Sequence, residues 1–464
     1  MTPSAPVRRR AFFVLLGLAC AAAAVAAPAA GWRAGSAKEK ITPPAGLWMT
    51  GYASRDKPAE GAAQDLWVKA LAVADPAGNR GVLLTLDLCG ISREITDRVA
   101  AEIGKAHGLA RGAVMVNVSH THCSPVLGSY LMGLRILPPD GQAKADAYTK
   151  GLEGKMARTA NAALAALAPA TLAWSEDEAH FGFNRRENAE KDVPAKRAAG
   201  AALKGPFDPR VPVLAVRDAK GGLQALLISY ACHNTTLSFM QWHGDYAGVA
   251  QAELEKRHAG ATVMFAIGCG ADINPAPRRE LAHVEQHGRA LADAADRALA
   301  KPAKPIAPHF AAALEDITLT FARRPTEAQL VEAETKQQPN KEMYQAWAAA
   351  VRQRQRTHGD KMMQEAYPIQ AWRLGDLAWI ALGGEVVVDY ALRLRRETPG
   401  DVWVFGYSND VLAYIPSERV LKEGRYEGDT SMVPYGRPGP WSPGLEDRIV
   451  AKSLELVARV RAAK

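Results

Sequence analysis

The chain has 464 residues, of which 48% are hydrophobic and 23% are charged. This balance is ample for a large buried core, and it excludes a fibrous or intrinsically disordered protein. The formal net charge is +8, of which Arg8, Arg9 and Arg10 carry three, leaving an ordinary +5 for the rest of the chain. Because no basic run stands out, we expect no nucleic-acid partner.

Residues 1–30 have the three parts of a secretory signal peptide. Three arginines precede an apolar stretch over residues 11–25, and small residues follow at 26–30. About fifteen apolar residues are too few to span a bilayer, which takes about 20. We therefore expect export to the periplasm or the medium after cleavage near Ala27 or Ala30.

Residues 31–464 are predicted to form one large α/β domain, because no internal repeat or linker-like segment divides them. Apolar runs predict strands, and residues with helical spacing predict helices. The strands are predicted at 32–42, 66–75, 81–88, 114–118, 171–174, 211–217, 224–231 and 262–267, and the helices at 94–107, 148–167, 245–258 and 284–300. The second and third strands, and likewise the sixth and seventh, are predicted hairpins.

The remainder begins with a long polar segment of helical character over residues 327–365. We interpret it as a surface excursion rather than a lid. Two apolar runs then flank Gly375-Asp376, a loop that suits a type II′ hairpin turn. A buried strand at 402–405 and a closing helix at 445–463 complete the predicted elements.

Two histidines beside the helix at 284–300 stand four residues apart, as a metal-binding pair on one helix face would. These are His283 and His287. The polar neighbours Glu285, Gln286 and Arg289 favour a solvated face instead.

Residues that bind metals or polarise substrates follow four of the apolar strands. They are His120 and His122 after the strand at 114–118, His233 after 224–231, Asp272 and Asn274 after 262–267, and Glu385 after 377–382. Alternate residues of a strand share a face, so His120 and His122 can aim at one object. In α/β folds the crevice beyond strand ends is where sites are assembled. The sequence thus predicts mixed sheets with a metal site at the C-terminal ends of the strands.

Imidazoles and a carboxylate are the ligands that a catalytic Zn²⁺ requires, together with an open position for water. Zinc lowers the pKa of that water from about 15.7 to about 7. Hydroxide is then available at neutral pH without a serine nucleophile.

Five cysteines are present, and Cys20 lies within the predicted signal peptide. Acylation of Cys20 as a lipoprotein is an alternative to cleavage, although Gly17 stands where such sites usually carry Leu. The other four can form disulfides in an oxidising compartment or remain buried thiols near a common site, and the sequence does not choose. They are Cys89, Cys123, Cys232 and Cys269.

An ordered set of short segments resembles the neutral/alkaline non-lysosomal ceramidase family. The segments are residues 34–44, Ser119-His-Thr-His122, Asn184-Arg185, Ala231-Cys-His-Asn234, Gly270-Ala-Asp-Ile-Asn-Pro275, Gly383-Gly-Glu385, Tyr414 and Tyr426. Each is weak alone, but together they run over most of the mature chain in the family's order.

The resemblance implies a zinc hydrolase that cleaves an N-acyl amide bond. The metal ligands that it implies are His120, His233, Glu385 and Tyr414. It also implies substrate contacts by His122, Arg185 and Tyr426. Asp272 is a candidate to orient His122 or the water, and equally a candidate turn cap.

Two departures from the family pattern bear on the substrate. Asn274 stands where ceramidases carry a serine. Because the sequence ends soon after the catalytic-type domain, we also expect the family's C-terminal immunoglobulin-like domain to be lacking. A different acyl amide, or an ester, is therefore as reasonable a substrate as ceramide. The expected partner is a small or lipid-like acyl amide, with transient contact to a membrane surface left open.

Two alternatives to the amide hydrolase remain open. One is a zinc-dependent esterase or lactonase with the same metal centre, and the other is an exported, non-catalytic binding protein of the same fold. A binding protein has no need of all four implied ligands, which favours an enzyme. The oligomeric state is not readable from the sequence.

Overall fold

The computed structural model of the chain describes residues 1–3, 31–128 and 137–463. The predicted signal peptide and Cys20 therefore lie outside the described residues, apart from residues 1–3. Gly31–Lys464 forms one compact unit. None of the helices in the described ranges is long and apolar enough to cross a membrane.

Groups of one or more strands are separated by helices along the described chain. The strands are β1 (Trp32–Lys40), β2 (Gly61–Ala62), β3 (Trp67–Ala74), β4 (Arg80–Leu86), β5 (Val114–Val118), β6 (Ala168–Glu178), β7 (Gly182–Asn184), β8 (Arg210–Asp218), β9 (Leu223–Tyr230), β10 (Gln241–Trp242), β11 (Thr262–Ile267), β12 (Ile273–Pro275), β13 (Lys304–Pro305), β14 (Phe310–Thr320), β15 (Gln364–Leu374), β16 (Leu377–Leu382), β17 (Glu385–Val386), β18 (Val402–Phe405) and β19 (Tyr414–Ile415). The helices are α1 (Arg93–His107), α2 (Pro139–Ala165), α3 (Val193–Ala198), α4 (Asp245–Arg257), α5 (Leu281–Ala300), α6 (Glu327–Thr335), α7 (Lys341–His358), α8 (Val388–Glu397), α9 (Glu418–Glu423), α10 (Arg425–Gly428) and α11 (Leu445–Ala462).

The two main sheets are both mixed, which confirms the predicted fold class. The larger has the order β11-β9-β8-β6-β1-β3-β4-β5, with β13 beside β6, and its outermost pairs, β11 with β9 and β4 with β5, are parallel. The smaller has the order β14-β15-β16-β18, and its last pair is parallel. The predicted hairpins β3-β4, β8-β9 and β15-β16 are all present.

The two sheets pack face to face, and helices cover both outer faces. Strand β16 shows the pattern that produces this arrangement. Its residues Leu377, Trp379 and Ala381 belong to the core between the sheets, whereas the alternate residues face α8 and α11. Helices α1, α2, α4 and α5 cover the larger sheet. Each large apolar side chain buried in these layers contributes about 1.5–3 kcal/mol.

Three tryptophans stack at the centre of the core between the sheets. The Trp379 ring lies 5.9 Å from that of Trp372 and 5.7 Å from that of Trp403, at interplanar angles of 10° and 14°. Trp174 of the larger sheet meets Trp403 edge to face at 5.9 Å. Trp379 is the middle ring of the stack, because it lies against both Trp372 and Trp403.

Asn117 joins the ends of three strands on the side where the polar residues collect. Its side-chain oxygen accepts from Ile267 N of β11 at 2.9 Å, and its amide donates to Gly406 O after β18 at 2.8 Å. Asn117 itself lies in β5 and is buried. The larger and smaller sheets therefore meet at this end, and the loops that leave them converge.

The predicted helical character of residues 327–365 is present, but one prediction about the helices is wrong. Residues 327–365 form α6 and α7 separately, because Pro339 and the left-handed Asn340, with φ of 58°, interrupt the helical pattern. His287 is buried rather than solvated. Its ring stacks on Phe181 at 4.7 Å and its Nε2 lies 2.7 Å from Pro277 O, because His287 continues the apolar stripe of α5.

We expect Trp379→Ala to destabilise the fold by about 3–5 kcal/mol, because it opens a cavity in the middle of the stack. Denaturant unfolding followed by circular dichroism measures the change in midpoint. Val331→Ala on α6 is the control, since this side chain is 46% exposed. Its expected effect is within about 0.5 kcal/mol. Equal midpoints for the two variants would contradict the proposed role of the stack.

Candidate metal centre

His120 follows β5 and is completely buried. Its backbone has φ of 61°, a left-handed conformation that turns the side chain off the strand direction. The Nδ1 atom lies 2.6 Å from Cys89 O, so the ring donates its proton there. That hydrogen bond fixes the tautomer and leaves Nε2 with a free lone pair, as a metal ligand requires.

His233 is held in the same way after β9. Its Nδ1 lies 2.8 Å from Gly270 O, and its backbone N–H donates to Ile273 O at 2.9 Å. The ring is buried, and its Nε2 points to the same place as that of His120. Two independent hydrogen bonds to backbone carbonyls thus orient two imidazoles so that both could bind the same metal ion.

Glu385 begins β17 directly after a tight turn. Gly384 has φ of 77°, and a side chain there would approach Ala413 O to 2.6 Å, so only glycine fits. Strand β17 pairs with β19 in a register that places Glu385 opposite Tyr414. The turn and the ladder together aim the Glu385 carboxylate back at the histidines.

The Oε2 atom of Glu385 lies 3.1 Å from His120 Nε2 and 3.1 Å from His233 Nε2. It accepts no hydrogen bond of normal geometry within the described residues, although it is buried. Ligand atoms 2.0–2.1 Å from a tetrahedral zinc lie about 3.3 Å apart. The three side chains therefore fit a zinc-sized cation in both spacing and donor type.

Tyr414 stands beside this trio. Its hydroxyl oxygen lies 3.3 Å from His233 Nε2 and accepts from Arg185 Nη2 at 3.2 Å. The rings of Tyr414 and His233 are parallel within 15°. The predicted fourth ligand is thus brought to the same place, next to the guanidinium of Arg185.

His122, two residues after His120, also points its ring at the group formed by His120, His233 and Glu385. Its Nε2 lies 3.0 Å from His120 Nε2, so the two rings meet, although both residues lie beyond the end of β5. Its Nδ1 has no hydrogen-bond partner within the described ranges. Gly51 packs directly on the ring, since a side chain there would come within 2.5 Å of the ring carbon Cγ.

A second group of potential ligands consists of Cys89, His120 and His122. The Cys89 sulfur lies 3.8 Å from His120 Nδ1. That nitrogen is already committed to the Cys89 carbonyl, and it faces away from Glu385. The trio of His120, His233 and Glu385 is therefore the better metal site.

Arg185 is held by three neighbours around the site. Its Nε donates to Glu427 at 2.8 Å, and its Nη1 donates to Asn274 Oδ1 at 3.2 Å. Its third bond is to Tyr414. A guanidinium has five N–H donors, so this arrangement orients Arg185 without using all of them.

The remaining predicted residues occupy different places. Tyr426 lies at the rim, 45% exposed, with its ring 5.3 Å from that of Tyr414. Asp272 is buried, but its carboxylate accepts from Asn184 Nδ2 and Val388 N, both at 2.9 Å. Its oxygens join the chain segments around Arg185 and Glu385, and neither is hydrogen-bonded to His122 within the described residues.

Charges at the centre are strongly coupled. Burial opposes ionisation of Glu385, but His120 and His233 hold the pKa of its carboxyl well below the usual range. Burial lowers the pKa of His120, and the Glu385 carboxylate more than offsets this, raising the pKa to about 10. Burial and the Arg185 cation lower the pKa of His233 to about 4. Among the protein's own groups, His120 therefore carries the positive charge that compensates Glu385, and a metal ion bound at Nε2 would replace that proton.

Two neighbouring side chains, His122 and Tyr414, are held in their neutral forms. Burial and the nearby His120 hold the pKa of His122 well below its usual value, so this ring is neutral at neutral pH. Burial and Glu385 raise the pKa of Tyr414 well above 10. A phenolate at Tyr414 therefore requires a bound cation.

The four cysteines beyond Cys20 are all buried free thiols. This selects the second alternative left open by the sequence. They lie in the segments that carry site residues, where a thiol packs as a small apolar group.

Several residues near the centre were not predicted from the sequence. They are Glu427, which holds Arg185, Tyr407, whose ring lies 4.5 Å from that of His120, and Tyr435, whose hydroxyl donates to Glu385. All come from the chain after β18. The sequence could not indicate which side chains of this region point inward.

Known proteins resemble this chain in sequence and in fold. A sequence profile of the family described as neutral/alkaline non-lysosomal ceramidase, N-terminal, matches residues 32–289. Neutral ceramidase 2 of Arabidopsis thaliana is 27% identical over 202 residues, which are 42% of this chain and 26% of that relative. The match therefore spans about a quarter of the relative's length.

Two solved structures share the fold. The neutral ceramidase from Pseudomonas aeruginosa superposes with a TM-score of 0.71 at 19% identity, covering 93% of this chain and 75% of that one. A ceramidase complexed with C2 gives a TM-score of 0.72 at 18% identity with the same coverage. At this identity the likeness establishes the fold alone.

We expect His233→Ala to weaken zinc binding by at least about 100-fold, because loss even of a ligand's supporting partner costs 10–100-fold. Equilibrium dialysis with metal analysis measures the binding. The control is His180→Ala, whose side chain is 68% exposed and belongs to neither group of potential ligands. Unchanged zinc binding by the His233 variant would rule out the trio as the metal site.

Proposed function

Because the chain belongs to the neutral/alkaline non-lysosomal ceramidase family, we propose that it is a zinc-dependent hydrolase that cleaves an N-acyl amide bond. The observation that carries this proposal is that Glu385 Oε2 lies 3.1 Å from the Nε2 atoms of both His120 and His233, next to a fixed arginine and a neutral histidine. A binding protein needs a complementary surface, but it has no use for a buried cation site of this kind.

In this proposal the metal is held by His120, His233, Glu385 and Tyr414. The donor set of two imidazoles and oxygen ligands suits zinc better than magnesium or calcium, which take oxygen ligands. A bound zinc ion supplies Lewis acidity and lowers the pKa of its water to about 7. The two carbonyl contacts of the histidines keep both rings ready to bind.

His122 is the proposed general base and acid. Its ring is neutral, and its Nε2 is directed to the metal site, 3.0 Å from that of His120. A neutral imidazole can accept a proton at Nε2 from the attacking water. It can then return that proton to the leaving amine, which needs one to depart as a neutral product.

Arg185 is the proposed stabiliser of negative charge on the carbonyl oxygen. Its guanidinium is fixed by Glu427, Asn274 and Tyr414, and its remaining N–H groups can donate to an oxyanion. A donor fixed before the reaction needs no reorganisation in the transition state. Asn274 contributes by orienting Arg185, a role that an amide oxygen fills without the family's serine.

The proposed substrate is a small or lipid-like acyl amide. Tyr426, at the rim, is placed to contact the substrate as it enters, since its ring is exposed and lies against Tyr414. The family makes ceramide the first compound to test. Export after signal-peptide cleavage, and transient contact with a membrane surface, belong to the same proposal.

We expect His122→Ala to lower kcat for amide hydrolysis by about 10²–10⁴, the usual contribution of a general base, while it keeps most of the zinc. His120→Ala is expected to lose both amide hydrolysis and the bound zinc. Turnover of ceramide and of fluorogenic N-acyl amides and esters is measured with and without a chelator, in parallel with zinc content.

The exposed-residue variant His180→Ala is the control for both measurements. Zinc-independent turnover would contradict a metal mechanism. Chelator-sensitive ester turnover without amide turnover would replace the amide hydrolase with an esterase or lactonase. Zinc binding without turnover of either substrate class would favour the binding protein.

A further inference from the structure

The second oxygen of the Glu385 carboxylate has its own partner. Oε2 faces the two histidines, whereas Oε1 accepts a short hydrogen bond from the Tyr435 hydroxyl. The two oxygens of a carboxylate are chemically equivalent. Glu385 itself therefore does not determine whether one or both oxygens face the metal site. The residues around the carboxylate determine it.

Tyr435 is held in place from outside the site. The next residue but one, Arg437, donates through Nε to Leu412 O at 3.0 Å and pairs with Glu365 at 2.6 Å. The carbonyl of Arg437 accepts from Trp347 Nε1 of α7 at 2.7 Å. Helix α7, an excursion from the sheets, thus braces the loop that carries the tyrosine.

The Tyr435 ring is also positioned from inside. It meets the Tyr414 ring nearly at right angles, 83°, with centroids 6.1 Å apart. Such edge-to-face contacts favour one ring orientation. Tyr435 therefore approaches Glu385 along a fixed direction and contacts a second predicted ligand as it does so.

We propose that Tyr435 is a positioning residue that restricts Glu385 to binding the metal through Oε2 alone. This inference rests on the metal-dependent function proposed above. The hydroxyl proton occupies Oε1 by a charge-assisted hydrogen bond. Without it, Oε1 is free to turn toward the metal, and a second carboxylate oxygen would add to the metal's ligands beside the position that an open site keeps for water.

The test is Tyr435→Phe in the full chain, loaded with Co²⁺ in place of zinc. Visible absorption of Co²⁺ weakens as the number of ligands rises from four. We expect the variant to absorb more weakly than the wild type and to bind Co²⁺ about 10–100-fold less tightly in competition with a chelator. Both readouts concern the metal and require no substrate.

The matched control is Tyr344→Phe on α7, which removes a hydroxyl from the bracing helix without touching Glu385. It should leave the spectrum and the affinity unchanged. Trp347→Phe removes the brace to Arg437 and should change both in the same direction as Tyr435→Phe, but less.

The outcomes separate the two proposals. A wild-type chain that binds neither Co²⁺ nor zinc overturns both the metal-dependent function and this inference. A wild-type chain that binds Co²⁺, beside a folded Tyr435→Phe variant with the same spectrum and affinity, overturns the role of Tyr435 alone. Far-ultraviolet circular dichroism and the melting temperature establish that each variant is folded.

Discussion

A buried carboxylate oxygen that faces two imidazole nitrogens is the constraint on which the site depends. Glu385 is only 4% exposed, and an ionised carboxylate in such a place costs several kcal/mol unless positive charge compensates it. The neighbouring rings cannot turn away, because carbonyl oxygens hold their Nδ1 protons. The fold therefore keeps one anion and two lone pairs directed at one point, and a divalent cation is the simplest species that satisfies all three.

The fold meets this constraint by bringing two sheets to a common end. Asn117 joins β5, β11 and the chain after β18, so the loops that follow these strands leave from nearly the same place. The stacked tryptophans between the sheets fix how the smaller sheet, which delivers Glu385, lies on the larger one, which delivers the histidines. Packing of the tryptophans, far from the site, thus determines the distances between Glu385 and the histidines.

The sequence predicted most of the buried elements because strand β16 and its neighbours are apolar and end in conspicuous polar residues. His120, His233 and Glu385 could be found in this way. Tyr414 came only from the family resemblance, since a short ladder in a loop has no periodic signal. The prediction that His287 lies on a solvated face was wrong because its neighbours in sequence are polar, whereas its neighbours in space are Phe181 and a backbone carbonyl. Tyr435 was missed because its partner lies 50 residues away.

The order of the ligands along the chain also has a consequence for biosynthesis. Both histidines are made well before Glu385 and Tyr414, and Glu385 lies in β17, whose partner strand β19 follows only after β18. A nascent chain therefore displays two imidazoles with no anion to join them, a weak and unselective chelate. On the proposal that this centre holds a metal, high-affinity binding has to wait for the last quarter of the polypeptide, so the metal is selected by the folded protein and not by the nascent chain.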